Sequence, residues 1–314
     1  MEKIKIGISA CLTGEKVRYD GSHKQDHYIT DTLGRYCDFA AVCPEVEYGL
    51  PVPREPMHLR GDLKNPRLVT IRTGIDHTEG MNKWAEGRLQ KLDKQELCGF
   101  IFKSRSPSSG MQGVRVYNKK GAPQMKGVGI FAGAFMKKFP LIPVIDEGRL
   151  NYPGLREAFI EKVFVFHRWL DFLKKSGSKK DLLEFHTNHK LLILAHSPKH
   201  VTILGRFIAG SKGYAGQLNN DYMEIMMEGL SLLSTRKKHT NVLSHVMGYF
   251  KKELTADEKQ ELIEIIDNYH KGFIPLIVPV TMLNHYVRKY DEQYLKKQVY
   301  LSPGPIELML RNHV

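Results

Sequence analysis

Two cysteines, a glutamate and a serine-rich turn are the residues of this 314-residue chain whose types and spacing can do chemistry. Cys11 closes an apolar run at residues 3–10 and opens the turn Cys11-Leu-Thr-Gly14. Cys43 closes a second run at 39–42 and leads into Pro44-Glu45, and a third run ends in FIFKSRSPSSG, residues 100–110. Three turns of one form at strand ends predict one site holding Cys11, Cys43 and the turn that ends at Ser109, because ligands of open α/β sheets sit beyond the carboxyl ends of the strands. A thiol there is a nucleophile or a metal ligand. A carboxyl in a partly apolar concavity has its proton affinity raised by desolvation unless a cation offsets it, which suits a general acid such as Glu45. The plainer readings are a buried cysteine acting as a small hydrophobe, a helix-start glutamate bonding backbone amides, and Ser106 and Ser108 bonding their own turn. There is no C-x-x-C pair, so spacing alone does not specify a metal; Cys37 and Cys98 read as structural.

These residues need strands to hold them. Residues 1–154 alternate apolar runs with helical and loop segments, which predicts an α/β domain with a mainly parallel sheet. Strands are expected at 3–10, 39–43, 68–72, 97–103 and 141–145, helices at 80–92 and from 127, and a polar, proline-rich loop at 48–65. Residues 155–314 predict an all-α C-terminal domain, with helices at 155–174, 181–196, 199–209, 222–234, 239–254, 257–270 and 280–290. Ser197-Pro198 and the capping box Thr255-Ala-Asp-Glu258 mark two helix starts.

The chain carries 47 Lys and Arg against 34 Asp and Glu, a formal net charge of +13 spread over both halves. Such a charge favours nucleic acid through counterion release, against the plainer reading of a basic but inert surface. Arg236, Lys237 and Lys238 form a basic run at a helix start, where cations oppose the macrodipole, which points to an anionic partner. Lys251 and Lys252 follow Tyr249 and Phe250, rings that could stack on bases but read first as core anchors. His186, His189, His196 and His200 straddle a helix break and read as packing residues rather than ligands. No apolar run reaches membrane-spanning length and the N-terminus lacks signal-peptide features, so a cytoplasmic protein with no membrane partner is expected.

Three stretches of the first half, SACLTGEKVRYDG (9–21), VCPEVEYGLPVPREP (42–56) and FKSRSPSSG (102–110), resemble the thiouracil desulfurase family of small iron–sulfur proteins. The second half, with FHTNHKLLILAHSPKH (185–200), HTNVLSHVMGYFKKEL (239–254) and QVYLSPGPIELMLRN (298–312), is similar to a helical domain often fused to it. The resemblance implies a 4Fe-4S cluster held by three cysteines, with one iron open as a Lewis acid toward a thiocarbonyl. Cys11 and Cys43 match the first two ligands, and the third falls on Ser109. Glu45 matches the family's acid/base residue and Ser106 its active-site serine; Arg18, Arg54 and Arg105 are candidates for contacts to the base or a phosphate. A serine is a hard ligand where iron–sulfur clusters take soft thiolate, so this chain is expected to be impaired. Because every surrounding motif residue is in place, replacement of an active enzyme's cysteine is favoured over a natural member with altered chemistry. The expected reaction replaces C=S by C=O in a thiolated pyrimidine with release of sulfide. The helical domain and the positive charge make tRNA carrying 4-thiouridine the expected substrate. Two alternatives stand beside it: a desulfurase of free thiouracil or thiouridine only, and a non-catalytic RNA-binding protein.

Overall fold

The apolar run that begins at Ile4 becomes an inner strand of a parallel sheet. In the computed structural model, whose described residues are 3–175, 177–210 and 215–313, β1 (Ile4–Ser9) lies between β2 (Cys37–Val42) and β5 (Phe100–Phe102), and β5 pairs in turn with β8 (Val144–Asp146). All three pairings are parallel. Five of the six residues of β1 are buried, which gives the near-continuous apolar run of a strand covered on both faces. Gly7 is needed where the strands meet, since a Cβ there would lie 2.2 Å from the Phe100 ring. Helices α2 (Thr78–Asp93) and α3 (Ile130–Lys138) bring Leu89, Leu92, Phe131 and Phe135 onto Phe100 and Phe102. The short helix α1 (Pro44–Tyr48) follows β2, and α4 (Glu147–Leu150) follows β8.

A second four-stranded sheet goes beyond the sequence expectation. Its order is β4 (Pro66–Thr70), β3 (Met57–Gly61), β6 (Val114–Tyr117), β7 (Pro123–Gly127), with antiparallel outer pairs and a parallel central one. Residues 48–65, expected as a loop, therefore contain the end of α1 and the whole of β3. The cause is the small core beneath: Leu59, Leu68, Met81, Val114 and Val116 suffice to bury one face, so strands with one or two apolar inward residues still form.

The turn after β5 is fixed from behind by α3. The Ser108 carbonyl accepts from the amides of Phe131 (2.9 Å) and Ala132 (3.2 Å), and the Gly129 amide donates to the Gly110 carbonyl at 2.7 Å. Otherwise orphaned amides of the helix start are satisfied by the turn itself. A Cβ on Gly129 would sit 2.6 Å from the carbonyl carbon and oxygen of Ser108. Backbone cannot yield as a flexible side chain does, so Gly129→Ala is expected to cost about 1–3 kcal/mol, the range for overpacking. Urea denaturation of the full chain checks this; an unchanged midpoint would show the turn free to move.

The rest of the described chain is helical: α5 (Pro153–Lys175), α6 (Lys179–His196), α7 (Pro198–Gly210), α8 (Ala215–Ser231), α9 (Arg236–Gly248), α10 (Ala256–Lys271), α11 (Ile277–Lys289) and α12 (Gln293–Lys296). The chain divides into two compact units, Met1–Phe159 and Ile160–Val314, with the division inside α5. The capping box forms as read, with the Thr255 side chain accepting from the Glu258 amide and Glu258 accepting from the Thr255 amide at 2.9 Å. Helix α9 ends at Gly248 rather than at 254, and α8 begins at Ala215 rather than at 222.

Histidines do the polar work in the core of the second unit. Glu161, buried, accepts from Arg311 Nη2 at 3.0 Å and faces His196 Nε2 at 3.2 Å. His239 Nδ1 lies 3.1 Å from Tyr300 Oη, His186 Nδ1 lies 3.1 Å from Tyr222 Oη, and His189 Nδ1 donates to the Phe185 carbonyl at 2.7 Å. Burial pushes His186 down to about 4 and His189 and His239 down to about 3. Burial acts to raise Glu161, but the His196 hydrogen bond and the Arg311 charge outweigh it and hold the carboxyl below its usual range. Below their ordinary value of 6.5 these histidines take protons in the unfolded chain first, and a depressed carboxyl loses its stabilising charge last. Both effects have one sign, so stability falls as acidity rises. Helical circular dichroism melts are expected to show a midpoint that declines from pH 6.5 to pH 4; a flat profile would contradict the buried neutral imidazoles.

Candidate active site

Parallel pairing puts the ends of β1, β2 and β5 on one edge, and a cavity of about 820 Å³ opens there. Cys11, Cys43, Glu45, Ser106 and Ser109 all line it. Arg18, Arg54 and Arg105 line it too, so the structure gathers every site residue expected in the first half.

Each is held by local structure. Cys11 sits in the tight turn Ala10–Thr13 after β1 and is buried. Burial pushes its thiol up to about 11, against the nearby charge of Lys103. Cys43 is the N-cap of α1, and its sulfur lies 3.6 Å from Glu45 Oε2. Burial and the Glu45 charge push that thiol up to about 12. Pro44 in the first turn sets the helix start that places Glu45 over the cavity.

Glu45 is the hub. Its Oε1 accepts from Ser108 Oγ at 2.6 Å, and Arg54 Nη2 approaches Oε2 at 3.9 Å. Arg54 also donates to the Val17 carbonyl at 2.9 Å, so this guanidinium is committed to the protein and to Glu45. Arg18 donates to Ser22 Oγ at 2.8 Å and lies 3.7 Å from Asp20. Arg105 is exposed, with a left-handed φ of 59°. Lys103, a cavity residue not singled out from the sequence, pairs with Glu147, which also accepts from the Ser104 amide at 2.6 Å.

The serine turn bonds both within itself and onward to Glu45. Ser106 Oγ accepts from the amides of Ser108 (3.3 Å) and Ser109 (3.1 Å), as a turn hydroxyl does. Ser108 spends its one proton on Glu45, so across the 3.0 Å contact with Ser106 Oγ the donor is Ser106. A directed chain results, from Ser106 through Ser108 to Glu45. Ser108 is fully buried and was read only as a turn residue. Its partner is 63 positions away, so no local signal marks it.

Ser109 is buried, its hydroxyl 3.4 Å from that of Ser108. The donor set is therefore two thiols and a hydroxyl. Cys37 pairs with Ile4 at the start of β2 and the Cys98 amide bonds Lys5, so both lie at the amino ends of the strands, away from the cavity. Among the described residues no group of three or more His, Cys, Asp or Glu is placed to hold a metal ion. These residues do not fit a cluster that requires three thiolates.

The residues expected to touch RNA belong to the second unit. Arg236, Lys237, Lys251 and Lys252 are exposed. Lys238 is not free: it donates to the carbonyls of His196 (2.6 Å) and Leu233 (3.1 Å), capping the end of α6.

A family model described as 2-thiouracil desulfurase matches residues 6–147, and one described as a protein of unknown function, DUF1722, matches residues 190–305. The uncharacterised protein YbbK of Bacillus subtilis strain 168 is 30% identical over 152 residues, 46% of this chain and 97% of YbbK. This chain belongs to the 2-thiouracil desulfurase family. The uncharacterised protein YbgA of Escherichia coli K12 is 32% identical over 166 residues, 52% of this chain and 98% of YbgA. A solved structure titled as the [4Fe-4S]-dependent thiouracil desulfidase TudS is 35% identical, covering 48% of this chain and 94% of that one, with a TM-score of 0.40. The matched desulfurase region thus contains all eight expected residues that line the cavity.

The hydroxyl chain predicts that both serines stabilise this desulfurase unit. Ser108→Ala, which leaves the Glu45 carboxylate short of a charge-assisted bond, is expected to cost about 1.5–3 kcal/mol, and Ser106→Ala, which strips the acceptor from two amides, about 1–3 kcal/mol. Urea denaturation of both variants measures the losses; an unchanged midpoint in either would contradict its place in the chain.

Proposed function

We propose that this desulfurase-family chain acts on a thiolated pyrimidine within RNA, 4-thiouridine of tRNA, converting C=S and water to C=O and sulfide. The observation that carries the reading is the cavity that gathers Cys11, Cys43, Glu45 and the Ser106 turn at one sheet edge. Glu45 takes the proton of the attacking water, and Ser106, whose hydroxyl chain ends on that carboxylate, positions the water or the base. The iron–sulfur centre implied by the sequence resemblance needs Cys11, Cys43 and a third thiolate at position 109, leaving one iron open, and Ser109 withholds that third ligand. The chain as it stands is therefore impaired. Support for a polynucleotide substrate comes from the net charge of +13 and from the exposed cations Arg236, Lys237, Lys251 and Lys252. A second reading, an RNA-binding protein without the cluster, is favoured by Ser109 alone.

Ser109→Cys separates them. Reconstituted without air, the variant is expected to hold more iron and sulfide than the unaltered chain and to remove thiouridine from thiolated tRNA. Turnover of free thiouracil with unchanged thiouridine in tRNA would overturn the RNA substrate. Equal iron in both proteins would overturn the role given to position 109.

A further inference from the structure

The second sheet has a face that the fold does not use. Its inner side buries Leu59, Leu68, Val114 and Val116, and alternation turns His58, Arg60, Arg115 and Tyr117 to the other side. Register brings these together: Arg60 lies opposite Arg67 on β4 and beside Tyr117 on β6. The rings of His58 and Tyr117 meet with centroids 4.9 Å apart.

Charge on this face is one-sided. Residues 57–70 and 114–127 hold seven Lys and Arg and one acidic residue, Asp62, in a chain whose whole net charge is +13. The Asp62 carboxylate accepts from the Lys64 amide at 2.8 Å. Arg67 is paired with Asp76, while Arg60 and Arg115 are exposed. Arg60 and Arg115, one on each central strand, are the cations this face offers an anionic partner.

Flat rings among unshared cations on an open sheet are the chemistry of an unpaired polynucleotide, whose bases stack and whose phosphates follow the positive groups. The sheet borders the cavity, because Met57 at the start of β3 and Met125 on β7 line it. We propose that the outer face of β4–β3–β6–β7 binds an unpaired stretch of RNA that leads the target base into the cavity. This rests on the reading of a polynucleotide substrate and moves the main contact onto the desulfurase unit itself. Arg60 and Arg115 take phosphates, and His58 with Tyr117 forms the stacking platform.

The test uses the full chain, a fluorescein-labelled polyuridine of about 12 nucleotides, and tRNA, with binding followed by anisotropy against salt. Arg60→Glu with Arg115→Glu is expected to weaken both at least about tenfold and to flatten the salt slope on polyuridine by about 1.4, the value for two phosphate contacts to a single strand. Tyr117→Ala is expected to weaken polyuridine binding about tenfold with the slope unchanged, and Tyr117→Phe to restore it. Melting curves of each variant show that the fold is kept. Binding that is unchanged in the sheet variants but lost in Lys251→Glu with Lys252→Glu would overturn this surface and leave the polynucleotide reading standing. No salt-dependent binding of either RNA by the unaltered chain would overturn both. Charge reversal that weakens heparin as much as RNA, with Tyr117→Ala silent, would mark a general polyanion surface and overturn the proposal.

Discussion

Parallel pairing around β1 is the constraint on which the site depends. Strands that run the same way must end on the same edge, so Ser9, Val42 and Phe102 hand the chain to three turns at one place. Cys11, Cys43 and Ser109 are separated by tens of residues, yet none has to be brought over by a long excursion. The same geometry keeps Cys37 and Cys98 out, since both sit where strands begin. Orientation therefore sorts the four cysteines into two kinds before any side-chain chemistry acts.

Within that frame the polar groups form a closed arrangement. Glu45 has a hydroxyl on one oxygen and a guanidinium near the other, and Lys103 has Glu147. Partly buried charges tolerate such a position only when their partners are close and well directed. Arg54 illustrates the consequence: a residue that reads in sequence as a free cation for a ligand is in fact the counter-charge of an acid.

Much of this was legible in the amino-acid order, and the failures have physical causes. Long apolar runs such as the one that becomes β1 announce a doubly covered strand, and Thr255 with Glu258 announces a helix start that forms as read. The second sheet was nearly silent, because β3 and β7 each bury only one residue fully and leave polar residues facing out. Ser108 was silent for another reason: its meaning lies in a bond to Glu45, which sequence spacing does not encode. His186, His189 and His196 were read as packing residues, but their bonds to Tyr222, a backbone carbonyl and Glu161 are tertiary facts, as is the bond of His239 to Tyr300.

Ser108 serves three neighbours at once. Its carbonyl receives the start of α3, its amide supports Ser106, and its hydroxyl holds Glu45. The next residue, Ser109, carries no comparable burden: its amide completes the turn, while its side chain ends at the cavity beside one other hydroxyl. The turn is thus a socket whose shape is set by one serine and whose content is set by the next. The side chain at position 109 is therefore separable from folding: it can change while the bonds that shape the turn stay where they are.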